Sequence, residues 1–311
     1  MSRTETLFDV QEGAVTPAYA QLRDDVGDSA QRRRDEIDAL WLRTRSHLDN
    51  EFKGEFARTF THQRFAELRV ANLLLDRGFE LEPAASKRPD FATRLPDKRP
   101  VWVEVIAPGF GADENLDRPP PRGERTVRPS PERETLLRLT SALYEKKKKF
   151  DRYRAAGVVG DDDICIVAIG GSELFPHAEG VGLSRIVRAV LPAGDEVFAL
   201  DVATDELVDV SHKWREALRR TGHNKDGANK EPVPTTAFLD PDYAGISGVL
   251  YDSACVTNFR PPAQARWTYV HNMMAPLRLP PEGLLCETEY WSYADGDDLI
   301  VRLRGPDPEP A

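Results

Sequence analysis

Sulfur is scarce: the 311 residues include three methionines and three cysteines, Cys165, Cys255 and Cys286. Three thiols far apart and odd in number fit neither a disulfide framework nor a zinc site, so they are read as reduced. No apolar run approaches the length that crosses a bilayer, and Met1-Ser2-Arg3-Thr4-Glu5 has no signal-peptide pattern; a cytoplasmic protein without a membrane partner is expected. Positive charge is also in deficit. Lys and Arg number 42 against 52 Asp and Glu, a net charge of −10, which excludes coating nucleic acid by bulk charge and leaves only local basic patches such as Arg32-Arg33-Arg34 and Lys146 to Lys149. His177 and His212 lack the spacing of a metal site. His271-Asn272 has no Ser or Cys motif to work with and reads as structural, and Gly170-Gly171-Ser172 lacks the lysine and spacing of a phosphate-cradling loop.

What is present is a chain 40% hydrophobic and 30% charged, long enough for one large domain or two smaller ones. Its most informative stretch runs from Arg64 to Pro108. Glu104 stands in Val101-Trp102-Val103-Glu104-Val105, a β-branched strand whose alternation sets Glu104 on the face opposite Val103 and Val105. Asp90 follows Pro89 and leads into a short run, and the polar segment from Thr93 to Pro100 connects the two as a hairpin. An ionised group in an apolar strand is costly unless it is paired or bound to a cation. Two carboxylates held close repel, and a divalent cation relieves that repulsion. Phosphodiester hydrolysis is the natural chemistry of such a site. Asp90 can instead serve as a turn cap.

The order of a helix bearing Glu67, then Gly78-Phe79-Glu80-Leu81, then Pro89-Asp90, then Val103-Glu104-Val105 resembles the core of the PD-(D/E)xK restriction-endonuclease-like superfamily, over roughly Thr61 to Tyr153. The resemblance implies that Asp90 and Glu104 hold Mg²⁺ or Mn²⁺, with Glu67 as an accessory acid. It also implies a lysine two residues beyond the second acid, where this chain has Ile106. Some members supply that lysine from the following helix. Here Leu136, Leu139, Leu143 and Phe150 mark one helical face between Glu132 and Tyr153, with Lys146 and Lys147 at its two edges as replacements; a solvated basic run is the other reading of the four lysines.

Around this core the segment up to about Gly27 reads as polar and poorly ordered or laid on the surface, with Ser29 capping a helix from Ala30 to Leu48. A helix from Thr61 to Arg77 ends at Gly78. Residues from Pro108 to Pro131 read as a long loop beside the site. Further on, strands are expected at Ile164–Ile169, Val197–Val202, Ile246–Tyr251 and Trp267–Val270, a weak helix at Leu183–Val190, and a short basic helix at Lys213–Arg220. The expected architecture is α/β, a mixed central sheet flanked by helices with an N-terminal helical lead-in. It divides into a helical segment (1–60), a nuclease-like core (61–171), and a sheet completion and extension (172–311). Two functions stay open: a metal-dependent nuclease acting on nucleic acid, with the restriction or defence role the resemblance implies, or a catalytically inactive binding or assembly module. Ile106 divides them, and homo-oligomerisation is left open. Alanine at Asp90 or Glu104 is expected to abolish cleavage and leave the fold intact.

Overall fold

Alternation along the strands decides how the layers assemble. The computed structural model describes residues 5–10, 13–109, 131–174, 182–220, 231–256 and 266–304. Helices α1 (Pro17–Asp24), α2 (Asp28–Thr44), α3 (Phe52–Arg58) and α4 (Thr61–Asp76) lead into the hairpin β1 (Phe91–Arg94) and β2 (Pro100–Ile106). Helix α5 (Glu132–Ala155), β3 (Ile164–Gly170) and α6 (Arg185–Val190) follow. Next come a two-stranded ribbon, β4 (Ala193–Leu200) with β5 (Leu207–Trp214), and a short pair, β6 (Ala217–Leu218) with β7 (Val233–Pro234). Strands β8 (Gly248–Asp252), β9 (Thr268–His271), β10 (Thr288–Asp295) and β11 (Asp298–Arg304) complete the described elements. The protein is thus α/β, with a mixed seven-stranded sheet in the order β1-β2-β3-β8-β9-β10-β11.

β2, β3 and β8 run parallel, with β1 antiparallel to β2 at one edge. The connection from β2 to the parallel β3 carries α5, as a parallel crossover requires. Both faces of these inner strands are covered. Val101, Val103 and Val105 pack with Ile164, Ile166 and Ala168 toward α4, while Cys165, Val167 and Ile169 pack toward α5 and α6. Glu104 falls on the α5 side by the same alternation.

Helix α4 is buried on several sides because it lies between the sheet and the N-terminal helices, which share Phe65 and Leu68 with it. It stops where expected: Gly78 takes φ +77°, and Phe79 N–H donates to Leu74 O at 3.0 Å, the left-handed cap that glycine accepts without strain. Buried Arg69, also on α4, pairs through Nε with Asp252 at the end of β8, and its guanidinium lies 5.4 Å from the Trp267 ring.

Three expectations are corrected. The described residues of the N-terminal segment are neither poorly ordered nor merely laid on the surface. Thr16 caps α1 by accepting from Tyr19 N–H, and Leu7 and Tyr19 are fully buried in the aromatic cluster with Phe52 and Phe56. Lys213–Arg220 is not a helix. Its first residues extend β5, whose pairing with β4 holds them in a strand, so cross-strand pairing overrides local propensity there. Helix α2 begins at Asp28 after Gly27 and has no side-chain cap, so Ser29 does not fill that position. Residues 110–130, most of the expected loop beside the site, lie outside the described residues. No described helix is long and apolar enough to cross a membrane.

Candidate active site

Three elements meet where β2 lies next to the sheet edge. β2 contributes Glu104, which is 0% exposed. Just before β1, Asp90 accepts a hydrogen bond at Oδ2 from Val105 N–H at 2.7 Å, which ties its carboxylate to the backbone next to Glu104. From above, α5 brings Lys146, whose Nζ is 2.6 Å from Glu104 Oε2 and 3.8 Å from Asp90 Oδ2.

Sequence reasoning missed two further groups. Lys149 Nζ donates to the same Glu104 Oε2 at 2.8 Å, and the Tyr153 hydroxyl donates to Oε1 at 2.8 Å. Positions 146, 149 and 153 are spaced three and four apart, so they share one helix face. That spacing was the available signal: once Lys146 is set on the buried stripe with Leu139, Leu143 and Phe150, Lys149 and Tyr153 come with it. Lys147 does not. It sits about 100° around the helix from Lys146, pairs with Asp151 at 2.9 Å and lies 5.8 Å from the Tyr243 ring. Lys148 lies 4.2 Å from the Tyr144 ring.

Glu67 approaches from α4. Its Oε1 accepts from Gln63 Nε2 at 2.9 Å and its Oε2 from Arg64 Nη1 at 2.6 Å. Gln63 also clamps the end of β2, donating to Val105 O at 3.0 Å and accepting from Ala107 N–H at 2.8 Å. The helix carrying Glu67 and the strand carrying Glu104 are therefore locked in register by one amide, which the sequence did not single out.

The electrostatics follow from burial. Burial first, and then the charge of Asp90, push the Glu67 carboxyl up to about 7 against the pull of Arg64. Asp90 is likewise raised by burial and by Glu104, with Lys146 and Lys149 opposing. For Lys149, burial acts to lower the ammonium's pKa, but the Glu104 and Asp90 carboxylates outweigh it and hold it above the usual lysine value. Tyr153 is pushed up to about 12 by burial and the Glu104 charge, so its phenol stays protonated and donates.

Two hollows open onto this cluster. One of about 340 Å³ is lined by Arg64, Glu67, Arg88 and Asp90. The other, about 440 Å³, is lined by Gln63, Ile106, Glu145, Lys146, Lys148, Lys149 and Arg152. A third hollow of about 570 Å³, beside Tyr144, Lys147 and Tyr243, does not include Asp90 or Glu104. Among the described residues, no group of three or more His, Cys, Asp or Glu side chains is arranged to hold a metal. Mg²⁺ does not require one, since it keeps several waters and is held by one or two carboxylates. The donor set fits such an ion: two hard-oxygen carboxylates, Glu104 buried and Asp90 half-buried, with the Asp90 pKa raised by desolvation first and by the Glu104 charge second. No family model, curated protein or solved structure matches the chain.

Proposed function

We propose that the protein is a metal-dependent nuclease of the PD-(D/E)xK type, with Asp90 and Glu104 holding Mg²⁺ or Mn²⁺ and Lys146 in the place of the absent strand lysine. The observation that carries this reading is the Lys146 ammonium, set 2.6 Å from Glu104 and 3.8 Å from Asp90 on the helix stripe that also buries Leu139, Leu143 and Phe150. The order of helix, hairpin, crossover helix and parallel strand also supports it. The divalent ion supplies Lewis-acid stabilisation of the phosphoryl oxygens and a more acidic bound water. Lys146 brings a fixed positive charge next to both acids, where it orients a water and offsets charge on a phosphate oxygen. Tyr153 fixes the Glu104 carboxylate, and Glu67 is a nearby carboxyl able to exchange a proton near neutrality. The basic hollow along α5 fits the path of a phosphate backbone.

One observation favours the alternative, an inactive binding or assembly module: both oxygens of Glu104 already accept hydrogen bonds from Lys146, Lys149 and Tyr153. A lysine must give way before Glu104 ligates an ion. Lys149, the more exposed of the two, is the one free to turn outward.

The test is cleavage of single- and double-stranded DNA and RNA with Mg²⁺ or Mn²⁺, alongside isothermal titration of Mn²⁺. Asp90→Asn and Glu104→Gln should abolish cleavage and weaken Mn²⁺ binding. Lys146→Ala should lower the rate by roughly 10²- to 10³-fold, the scale of one lost transition-state stabiliser, while Lys147→Ala stays near wild type. Equal losses at Lys146 and Lys147 would reduce the lysines to a basic face. A wild type that binds nucleic acid and cleaves none would favour the inactive module.

A further inference from the structure

One oxygen of Glu104 carries both ammonium groups: Oε2 accepts from Lys146 Nζ at 2.6 Å and from Lys149 Nζ at 2.8 Å. A carboxylate oxygen offers two lone pairs, so Oε2 has none left for an ion, and Tyr153 holds Oε1 at 2.8 Å. With Asp90 3.8 Å from Lys146, two cations balance two carboxylates and the cluster is closed upon itself. The two lysines differ in freedom. Lys146 stands in the buried stripe of α5 with its side chain 11% exposed, whereas Lys149 is 36% exposed and lies at the rim of the hollow of about 440 Å³.

That hollow gives Lys149 a second position, at a cost that depends on what fills it. Lys148 and Arg152 share its wall, and Arg152 stands three residues from Lys149 and four from Lys148, so it neighbours each on the helix surface. Among the described residues neither is spent on a carboxylate: Lys148 lies 4.2 Å from the Tyr144 ring, and Arg152 Nε donates to Lys148 O at 3.4 Å. A Lys149 ammonium that leaves Glu104 therefore meets two like charges with only Glu145 to offset them, and repulsion returns it to Glu104. A phosphate in the hollow reverses that balance. Three cations then converge on one anion through charge-assisted hydrogen bonds, and Oε2 is left with Lys146 alone.

We propose that Lys149 couples metal and nucleic acid at this site, moving from Glu104 to a phosphate of the bound strand and so opening Glu104 to the divalent ion only when nucleic acid is present. The inference rests on the reading of Asp90 and Glu104 as metal ligands. Ion and phosphate favour the same position of one side chain, which is positive coupling. Coupling is reciprocal: nucleic acid tightens the ion by the factor by which the ion tightens nucleic acid. Lys147 takes no part, since it sits about 100° around the helix from Lys146 and pairs with Asp151.

Isothermal titration of Mn²⁺ into the full chain tests it, alone and saturated with a short phosphorothioate oligonucleotide that resists hydrolysis, with the heat of Mn²⁺ binding to the oligonucleotide itself subtracted. Wild type should bind Mn²⁺ at least about tenfold more tightly with the oligonucleotide present. Lys149→Gln keeps Lys146 and Tyr153 on Glu104, so it should unfold like wild type. It should bind Mn²⁺ alone as tightly as wild type does with the oligonucleotide, which then adds almost nothing. Lys147→Gln removes the same charge from a nearby position and should keep the wild-type coupling, which separates release of Glu104 from a general loss of positive charge. Equal Mn²⁺ affinity in wild type with and without the oligonucleotide overturns the proposal, as does coupling that survives in Lys149→Gln or is lost equally in Lys147→Gln. A wild type that binds no Mn²⁺ in either state overturns the reading of Asp90 and Glu104, and this inference falls with it.

Discussion

Three side chains converge on Glu104, and its surroundings correct one expectation. Two ammonium groups and a phenol donate to a carboxylate with no exposure. Alanine there would leave partly buried lysines without their counter-charge, a change that typically costs about 3–5 kcal/mol, so Glu104→Ala is expected to lower stability as well as activity. The isosteric Glu104→Gln is the cleaner probe. Glu67 makes a prediction of the opposite kind. Its folded pKa of about 7 lies above the ordinary 4.5, so the folded state keeps a proton that the unfolded chain has released. Its contribution to stability is complete below the unfolded value and is lost as pH rises through about 7. The melting temperature of wild type should fall between about pH 5 and pH 8, and Glu67→Gln, which cannot ionise, should show a smaller fall. Parallel pH profiles for the two proteins would place the titrating group elsewhere. The position of Glu104 was legible because an acid in a Val-rich strand is anomalous. Gln63 was not, since an amide on an amphipathic helix carries no such anomaly.

Among the elements, α4 and β3 approach each other closely at Gly170. A Cβ at Gly170, the last residue of β3, would stand 2.6 Å from the Ala66 Cβ of α4, so helix and strand must separate to admit it. Gly170→Ala is expected to cost about 1–3 kcal/mol through overpacking, measured as a lower denaturant midpoint. Because the displaced helix carries Gln63 and Glu67, the shift would reach the acidic cluster, and Mn²⁺ affinity should fall along with stability. A midpoint unchanged from wild type would show that α4 slides freely. Helix α5 shows how far periodicity carries. Its apolar stripe was legible, and so was the placement of a lysine on the stripe. Which lysine turned on a difference of 100° per residue, and edge positions on both sides of a stripe look alike until the strand beneath fixes which side is buried. The ribbon was half legible. β4 has strand character of its own, but β5 is held by its partner, and Lys-Trp-Arg-Glu-Ala-Leu taken alone has the composition of a helix.

For the molecule as a whole, a net charge of −10 and a hollow whose basic lining is Lys146, Lys148, Lys149 and Arg152, with Glu145 beside them, limit how many phosphates the proposed nuclease would meet. Binding of duplex DNA should weaken with salt along a log–log slope of only about −2 to −3, at roughly 0.9 per phosphate contacted. A far steeper slope would require a second basic surface. The α/β class was legible from alternating strand and helix patterns, whereas β10 and β11 were not, because mixed sequences such as Tyr-Trp-Ser-Tyr and Leu-Ile-Val-Arg gain their strand state from mutual pairing. The pairing of Arg69 with Asp252 bridges 183 positions of sequence, and that span has a consequence in time. On a ribosome adding roughly 5–20 residues per second, α4 emerges about 10–40 seconds before the carboxylate that its guanidinium ends up against. Until then the nascent hairpin and helix cannot bury Arg69 beside its final partner. The first half of the chain must wait in an open state for the second, exposed to chaperones and proteases throughout that interval.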